Sequence, residues 1–529
     1  MNLQGRNSFT YLVALALAVA ATAALFLVGS SESVILAAAA AIFVALLVAA
    51  VCSADLALYA LILVSLTEAL YKGLAANMLT MLAKDIVLAI MLMRLFWHSQ
   101  QNRDYSWLRH PLALPGLLLA AYGVAMASAP QTNSVLLAAA GLRSWLLWMP
   151  LYFPAYQTLV TRRRVFAFVS VVLLLMVPIC IYGIVQGNIG YEHTRVLPGF
   201  HKLTSWYGVN TLRNDADDLL AENSGTDPRS GPTDQPESFD RSFAPIMAVR
   251  ACAIFISPGY FGGMAVMTAL PSLGLLGWAR SPVLRGLAVV AALGAVGGLL
   301  ASGSRAPMVG LVVGLAAMLL VSRRRGLVIA GVFIVGLGTL YILRDIVGVG
   351  AQRIERTLTV SGAIQRSLQP LGFGLQAAWD NPLGSGVATG QGAGRLVYTG
   401  AIQVERSEGS RFIENEFGRA LAELGFAGTA LWLWMIFTPL RQTLRATRRL
   451  GSQRAGVLVA AMFGAMVAIF TQLSVGSALY QGAGMFYYIF PAMAQRLVEL
   501  PISEGRPAGA MPALRRYGFV RERVRPSAQ

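Results

Sequence analysis

Three charged positions in this sequence have the chemistry to bind and activate a substrate: Arg250 in MAVRACAIF, Arg305 in ASGSRAPM and Glu414 in RFIENEFG. A guanidinium is planar, permanently charged and able to bind two phosphate oxygens at once, so two or three converging arginines would suit a diphosphate. A carboxylate beside such a group could accept the proton of an attacking hydroxyl. These residue types predict transfer chemistry on a diphosphate-linked substrate.

Each of these residues also has a simpler explanation. Arg305, in a short turn of small residues, could anchor the chain at a membrane interface, and Arg250 could be an ordinary charge before a helix. Glu414 and Glu416 would both be stabilised near the positive end of a helix dipole, by about 0.3 to 1 kcal/mol. Asn415 is available as the helix cap. These residues alone do not decide between a catalytic role and a purely structural one.

The composition predicts a polytopic membrane protein. The chain has 529 residues, of which 13% are charged, and a mean hydropathy of +0.61. Its net charge of +17 comes from short basic clusters between apolar runs, a distribution that favours retention beside a membrane over nucleic-acid binding. Cys52, Cys180 and Cys252 are too scattered to indicate a disulfide framework or a thiolate metal site.

Apolar runs of spanning length predict about 12 to 14 transmembrane helices. The first run, near 10–28, lacks a convincing cleavage site, so we expect it to be a retained helix. The predicted spans are 10–28, 34–53, 56–71, 76–97, 111–129, 135–158, 165–186, 257–279, 285–302, 307–322, 327–343, 417–439, 456–475 and 479–497.

Basic connections test this topology. Clusters at 94–110, 162–164, 280–285, 323–325, 441–454 and 515–525 all fall on one side if both termini are cytoplasmic. The chain then divides into N-terminal helices (1–186), an exported acidic loop (187–256), central helices (257–343), an exported loop with amphipathic helices (344–415), C-terminal helices (416–497) and a basic cytoplasmic tail (498–529). The predicted fold class is an all-α polytopic membrane protein with two long exported loops.

Both exported loops have a distinct composition. The first is rich in Asp, Ser, Pro and Gly, which is typical of solvated, mobile chain. The second carries Arg353, Arg356 and Arg366 at roughly helical spacing before the turn signal Asn381-Pro382. We expect amphipathic helices on the outer membrane surface there, ending in a glycine-rich strip at 384–394.

Charged residues inside the predicted spans raise a further question. Glu68, Lys84, Asp85, Arg143 and Glu423 could mark a proton or ion path. Adjacent Lys84 and Asp85 look like an intramembrane pair, and local pairing or placement near a helix end is the simpler explanation for most of the others.

Four separated stretches resemble the O-antigen ligase and O-antigen polymerase (Wzy) superfamily of membrane glycosyltransferases. They are RACAIFISPGYFGG from Arg250, SGSRAP around Arg305, WDNPLGSGVATG from Trp379 and ENEFGRALAELGFAG from Glu414. The resemblance covers about residues 250–428, whereas the first seven predicted helices match only as apolar runs. Where ligases of this family typically begin the last motif with His-Asn, this chain has Glu414 followed by Asn415.

The resemblance implies a GT-C-like fold and a donor diphosphate bound by Arg250, Arg305 and Arg366, without a metal or other cofactor. It implies that Glu414 orients or deprotonates an acceptor sugar hydroxyl, which attacks the anomeric carbon with inversion while the lipid diphosphate leaves. We assign Arg250, Arg305 and Glu414 as the catalytic positions. Supporting positions are Asn415, Ser304 and Asn381.

The function expected from this resemblance is polymerisation of undecaprenyl-diphosphate-linked repeat units into a surface or exopolysaccharide. The expected location is the bacterial inner membrane, with a lipid-linked or glycan acceptor and, as further partners, a chain-length regulator or other assembly proteins. An O-antigen ligase or a protein O-oligosaccharyltransferase would differ mainly in acceptor, which we expect the loop at 187–249 to select. A transporter is the alternative from another class, although the sequence shows no internal repeat of the kind many carriers have.

Overall fold

The computed structural model describes residues 32–68, 78–127, 135–189, 251, 253–255, 257–323, 329, 360–387, 415–451, 453–476, 479 and 482–500. Throughout these ranges the regular structure is helical and no strand is present. The predicted span at 10–28 lies outside the described residues, and of the span at 327–343 only residue 329 is described.

The N-terminal part contributes α1 (Glu32–Cys52), α2 (Ala54–Leu66), α3 (Met78–Asn102), α4 (Ala113–Ala127), α5 (Val135–Leu146), α6 (Tyr152–Thr158) and α7 (Arg162–Ile189). The remainder contributes α8 (Pro258–Trp278), α9 (Pro282–Ser302), α10 (Arg305–Val321), α11 (Val360–Asp380), α12 (Glu416–Leu450), α13 (Arg454–Gln472) and α14 (Gly482–Glu499). Short 3₁₀ turns precede α4 and α6, at Ser106–Arg109 and Met149–Leu151.

Within the described ranges, five helices are long and apolar enough to cross a membrane: α7, α8, α9, α12 and α13. Shorter apolar helices accompany them, and large apolar side chains remain exposed along the outer faces, such as Val283, Val312 and Leu320. In water such surfaces would be unfavourable, whereas lipid solvates them. The fold is therefore that of a helical membrane protein.

Helix packing is closest where small residues face each other. A Cβ added to Gly314 of α10 would lie 2.6 Å from the carbonyl oxygen of Gly464 in α13, and the reverse contact would be 2.4 Å. The two backbones therefore touch, as small residues allow between membrane helices. The most deeply buried side chains belong to α8, α13 and α14, which form the centre of the bundle.

One predicted span is broken in the structure. The run at 135–158 forms α5, the 3₁₀ turn at Met149–Leu151 and the short helix α6 rather than a single helix. Pro150 explains the interruption, because a proline lacks the backbone N–H and disfavours helical geometry in the residue before it, whereas Pro154 is tolerated in the first turn of α6.

Helix α12 is longer than the sequence predicts, and it is kinked. It continues through the basic stretch after residue 439 to Leu450, because RQTLRATRR consists largely of good helix formers. Gly425 interrupts it with φ 62° and ψ −167°, a conformation that favours glycine. The kink separates a first segment, 416–424, from a long second segment.

The bundle has two chemically different ends. At one, which we call the Asn415 end, α8, α10, α12 and α14 begin while α9 and α13 end. At the opposite, basic end, Arg162 donates to the carbonyl of Leu500 at 3.2 Å, and Phe166 packs edge-on against Trp278 at 5.1 Å between ring centroids. The described basic clusters at the ends of α7, α8, α10, α12 and α13 therefore lie at one end of the bundle.

Candidate functional site

Arg305 is the first residue of α10 and follows a connection of only two residues. Gly303 closes α9 with φ 57°, and Ser304 is extended at the N-cap position of α10 without a capping bond from its side chain. The Ser304 N–H is donated to the Ser302 hydroxyl at 3.2 Å. This tight turn presents the exposed Arg305 side chain at the Asn415 end of the bundle.

Asn415 is buried and caps α12. Its Oδ1 accepts the N–H groups of Phe417 at 2.9 Å and Gly418 at 3.1 Å, while its Nδ2 donates to the carbonyl of Ser474 at 2.7 Å. The backbone N–H of Glu416 is donated to the Leu473 carbonyl at 2.9 Å. The predicted cap is confirmed, and it also joins the start of α12 to the end of α13.

The start of α10 docks on the same part of α13. A Cβ added to Gly310 would lie 2.8 Å from the carbonyl oxygen of Ala468 and 3.0 Å from Nε2 of Gln472. Gln472 directly precedes Leu473, which receives the Glu416 N–H. The segments that begin with Arg305 and with Asn415 are thus held at one end of the bundle by the C-terminal turn of α13.

Below Asn415 lies a buried charge network. Nε of Arg419 donates to Oε1 of Glu423 at 2.9 Å, and both side chains are at most 3% exposed. Nε1 of Trp145 donates to Oε2 of Glu423 at 2.7 Å, while the Arg419 guanidinium lies 4.3 Å from the centroid of the Trp145 ring and also donates to Ser144. Burying two charges is tolerable here because each is paired and hydrogen-bonded.

Glu416 adds a second buried carboxylate at this end. It is 2% exposed and accepts the N–H of Leu479 at 3.4 Å. Beside it is a cavity of about 10 Å³ lined by residues that include Ser144, Trp145 and Tyr488. This volume is about that of a single water and far below the several hundred Å³ of a ligand pocket, so a sugar or diphosphate cannot bind inside the bundle there. The helix-dipole explanation is insufficient for a carboxylate buried this deeply.

The kink in α12 is bound by the segment after α11. Gly386 donates its N–H to the Glu423 carbonyl at 3.1 Å, and Phe426 donates its N–H to the Pro382 carbonyl at 3.0 Å. The Tyr122 hydroxyl of α4 lies 2.6 Å from the Leu383 carbonyl and 2.9 Å from the Leu424 carbonyl, which belongs to the kink. These bonds satisfy backbone groups that the kink leaves unpaired, so the WDNPLGSG stretch holds the shape of α12.

Asn381, predicted as a supporting residue, lies in this segment. Its carbonyl accepts the Gly384 N–H at 2.8 Å, while its side chain is exposed. Arg366 lies in α11, about two turns before Gly374, whose backbone touches Gly418 of α12. Because α11 runs parallel to the first segment of α12, this register places position 366 toward the Asn415 end; its side chain is not among those described.

Two of the predicted catalytic residues, Arg250 and Glu414, lie outside the described residues. Their immediate neighbours are described. Ala251 donates its N–H to the Ala301 carbonyl at 3.0 Å, near the end of α9, and Ala253 donates its N–H to Gln186 of α7 at 2.8 Å. Asn415 caps α12 as above. The chain therefore passes the Asn415 end directly after position 250 and directly after position 414.

The predicted pairing of Lys84 with Asp85 is wrong. Lys84 binds Glu68 through both carboxylate oxygens, at 2.7 and 2.9 Å, whereas Asp85 forms a two-bond pair with Arg143, each bond 2.7 Å long. Adjacent residues on a helix point about 100° apart and so meet different neighbours. These pairs join the residues directly after α2 to α3, and α3 to α5, which accounts for the four charges as structural contacts.

Arg419 is the residue that sequence reasoning missed. Its signal was available, because Arg419 and Glu423 are four residues apart in an apolar helix, the spacing of an intrahelical ion pair. Their burial could not be read from the sequence, since it depends on Trp145 and Ser144, which are about 275 residues away along the chain. No cluster of three His, Cys, Asp or Glu side chains suited to a metal occurs in the described part of the chain.

Comparison with known proteins gave no family model that matches the chain and no matching curated relative. The assignment of a function therefore depends on the residues and on their arrangement.

Proposed function

We propose that this chain is a membrane glycosyltransferase that polymerises undecaprenyl-diphosphate-linked oligosaccharide repeat units into a surface or exopolysaccharide. The reaction takes place at the Asn415 end of the bundle, on the exported side of the bacterial inner membrane. The GT-C-like relationship, the larger number of spans and the cytoplasmic termini belong to the same proposal.

The observation that carries the proposal is the joint position of two separated motifs. SGSRAP and ENEFGRALAELG are more than 100 residues apart in the sequence, yet Arg305 of the first and Asn415 of the second stand at the starts of helices that dock on the same turn of α13. Arg305 is exposed there, which supports contact with a donor carried in the membrane. This arrangement supports a site that combines a diphosphate-binding arginine with an acceptor-activating residue.

In the proposed reaction the donor diphosphate is bound by Arg305, with Arg250 and Arg366 as the further arginines. An acceptor sugar hydroxyl attacks the anomeric carbon, the bond from that carbon to the diphosphate oxygen breaks, and Glu414 takes the hydroxyl proton. Arginines stabilise the charge that develops on the leaving diphosphate, and a positioned base contributes typically about 10²- to 10⁴-fold.

The buried network supports this site from beneath. Arg419 and Glu423 fix the first segment of α12 against Trp145 of α5, and Asn415 fixes its first turn against α13. The chain position directly before Asn415 is therefore attached to a helix start that is fixed in place. Catalytic groups need such support, because their geometry must be held within about half an ångström. The network is positioned for support and has no room for a substrate.

The test is glycan analysis in cells that carry Arg305→Lys or Glu414→Gln. Arg305→Lys keeps the charge but loses the two-bond fork, and Glu414→Gln removes the proton acceptor. We expect each variant to be present in the membrane at the normal amount, with lipid-diphosphate repeat units accumulating and high-mass glycan lost. Arg441→Lys, the same exchange at an exposed position of the basic end, is the control and should give normal polymer.

Other acceptors would give other products. Polymer of normal length in both variants would reject the mechanism. Long chains that remain on undecaprenyl diphosphate in a deletion strain would identify a ligase, and loss of glycan from proteins alone would identify a protein O-oligosaccharyltransferase. Normal polymer together with lost solute uptake would identify a carrier.

A further inference from the structure

A large open cavity lies at the basic end of the bundle, opposite the proposed glycan site. Its volume is about 650 Å³, and it is lined by Leu320, Val321, Ser322, Arg323 and Arg448. Leu320 and Val321 end α10, Ser322 is its C-cap residue and Arg323 follows directly, whereas Arg448 lies in the last turn of α12. A cavity of this size is within the range of small-molecule sites, in contrast to the one-water cavity beside Glu416.

The cavity is positively charged. Arg323 and Arg448 come from different helices and face the same space, and in the described part of the chain neither forms a salt bridge with a carboxylate. Gly451, which ends α12, also lies here: a Cβ at this position would be 3.5 Å from Nη1 of Arg323. A helix dipole explains one cation at one helix end, but it does not explain two cations that converge on a cavity.

An apolar surface leads away from this cavity. Leu320 is 75% exposed, and Val312 and Val309 continue the exposed strip two and three turns earlier on α10. The spacing of eight and three residues keeps the three side chains on one face of the helix. The cavity therefore combines two cationic side chains with an apolar strip that extends toward the middle of the bundle.

We propose that this cavity binds the phosphate of an anionic phospholipid, with Arg323 and Arg448 on the phosphate oxygens and an acyl chain along Leu320 and Val312. Two guanidinium groups supply charge-assisted bonds that a zwitterionic headgroup satisfies less well, because its own cation opposes them. The apolar strip selects a lipid over a soluble phosphate. This site is separate from the donor site and does not depend on the proposed glycan chemistry.

The test is lipid titration of the purified full-length protein, followed by native mass spectrometry. The probes are phosphatidylglycerol, phosphatidylcholine and soluble glycerol 3-phosphate. We expect phosphatidylglycerol to bind about tenfold more tightly than either of the others, since one charge-assisted bond is worth about a factor of ten. Arg448→Gln and Arg323→Gln should each lose about that factor.

Arg449→Gln is the matched control. Arg449 is exposed in the same turn of α12 and does not line the cavity, so this variant has the same charge change and should bind within about twofold of wild type. An equal loss in Arg448→Gln and Arg449→Gln would overturn the proposal in favour of diffuse attraction. Equal binding of phosphatidylcholine, or of glycerol 3-phosphate, would overturn it as well. If Arg323→Gln does not fold, the Arg448 and Arg449 variants decide the question.

Discussion

The two ends of the bundle use charge in opposite ways. In the cap and first segment of α12, at the Asn415 end, Asn415, Glu416, Arg419 and Glu423 are each only 2% exposed and their polar groups point inward, while Arg305 of α10 is the exposed charge at this end. At the basic end the arginines of α12 are exposed. Buried charges must be paired, and therefore build a fixed structure, whereas exposed arginines remain available to lipid headgroups. The difference separates buried residues that fix the packing of α12 from exposed residues that remain in contact with the surroundings of the bundle.

The largest effect is expected at the buried ion pair. Replacing Glu423 by Leu leaves the Arg419 charge buried without its partner, which should cost about 3 to 5 kcal/mol of unfolding free energy. The measurement is reversible unfolding in detergent or bicelles. The double variant Arg419→Met/Glu423→Leu removes both charges and should recover most of the loss. A single variant as stable as wild type would show that the pair is not buried as described.

A pH effect is expected at the basic end, where His110 is partly buried between Tyr152 and Gln442. Its Nε2 lies 2.6 Å from the Tyr152 hydroxyl, and burial lowers the pKa of His110 to about 4 from an ordinary 6.5. Below pH 6.5 the unfolded chain therefore binds a proton that the folded chain does not. The stability that comes from keeping His110 neutral is therefore fully present above pH 6.5, and it is lost as the pH falls toward 4.

The expected loss is on the order of 1 to 2 kcal/mol of unfolding free energy between pH 7 and pH 5. Unfolding of wild type and of His110→Gln at both pH values measures it. The variant should lack this part of the pH dependence. If the unfolding free energies of both proteins change equally with pH, the pH dependence belongs to groups other than His110.

A smaller loss is expected from Asn415→Ala. This variant removes the cap of α12 and the bond to Ser474, which should lower the unfolding free energy by about 0.5 to 2 kcal/mol. Asn415→Ser is the control, because its hydroxyl can still cap the helix without adding a charge, while it loses the amide that donates to Ser474. If Ser is as harmful as Ala, the link to α13 matters more than the cap.

The smallest effect is expected for Arg441→Gln at the basic end. Arg441 is exposed, so the unfolding free energy should change by no more than about 0.5 kcal/mol. The same unfolding assay measures it. A loss as large as that of Glu423→Leu would remove the contrast between the two ends.

Apolar run length predicted most of the described helices, because spanning a membrane requires a recognisable number of apolar residues. α8 begins at Pro258 and ends at Trp278, where the sequence predicted 257–279. The break between α5 and α6 and the extension of α12 were missed because proline effects and helix propensity act locally inside a run that hydropathy treats as uniform.

The candidate site was harder to predict. Asn415 could be recognised as a cap from its position before a helix. In contrast, the partners of Lys84 and Asp85 lie in other segments of the chain, and Glu423 binds both Trp145 of α5 and Arg419 one turn earlier on α12. Their pairing depends on which helices become neighbours, and apolar patterns alone do not encode that. For Glu414 and Arg250 the sequence remains the sole basis of the assignment.

The most direct test of the central claim is turnover by the purified protein in liposomes. The substrate is the undecaprenyl-diphosphate repeat unit that accumulates in a deletion strain, and the products are separated by size. We expect a ladder of longer glycans with one undecaprenyl diphosphate released for each bond formed, absent with Arg305→Lys and normal with Arg441→Lys. Unchanged substrate with folded wild-type protein, or equal ladders from both variants, would contradict the account.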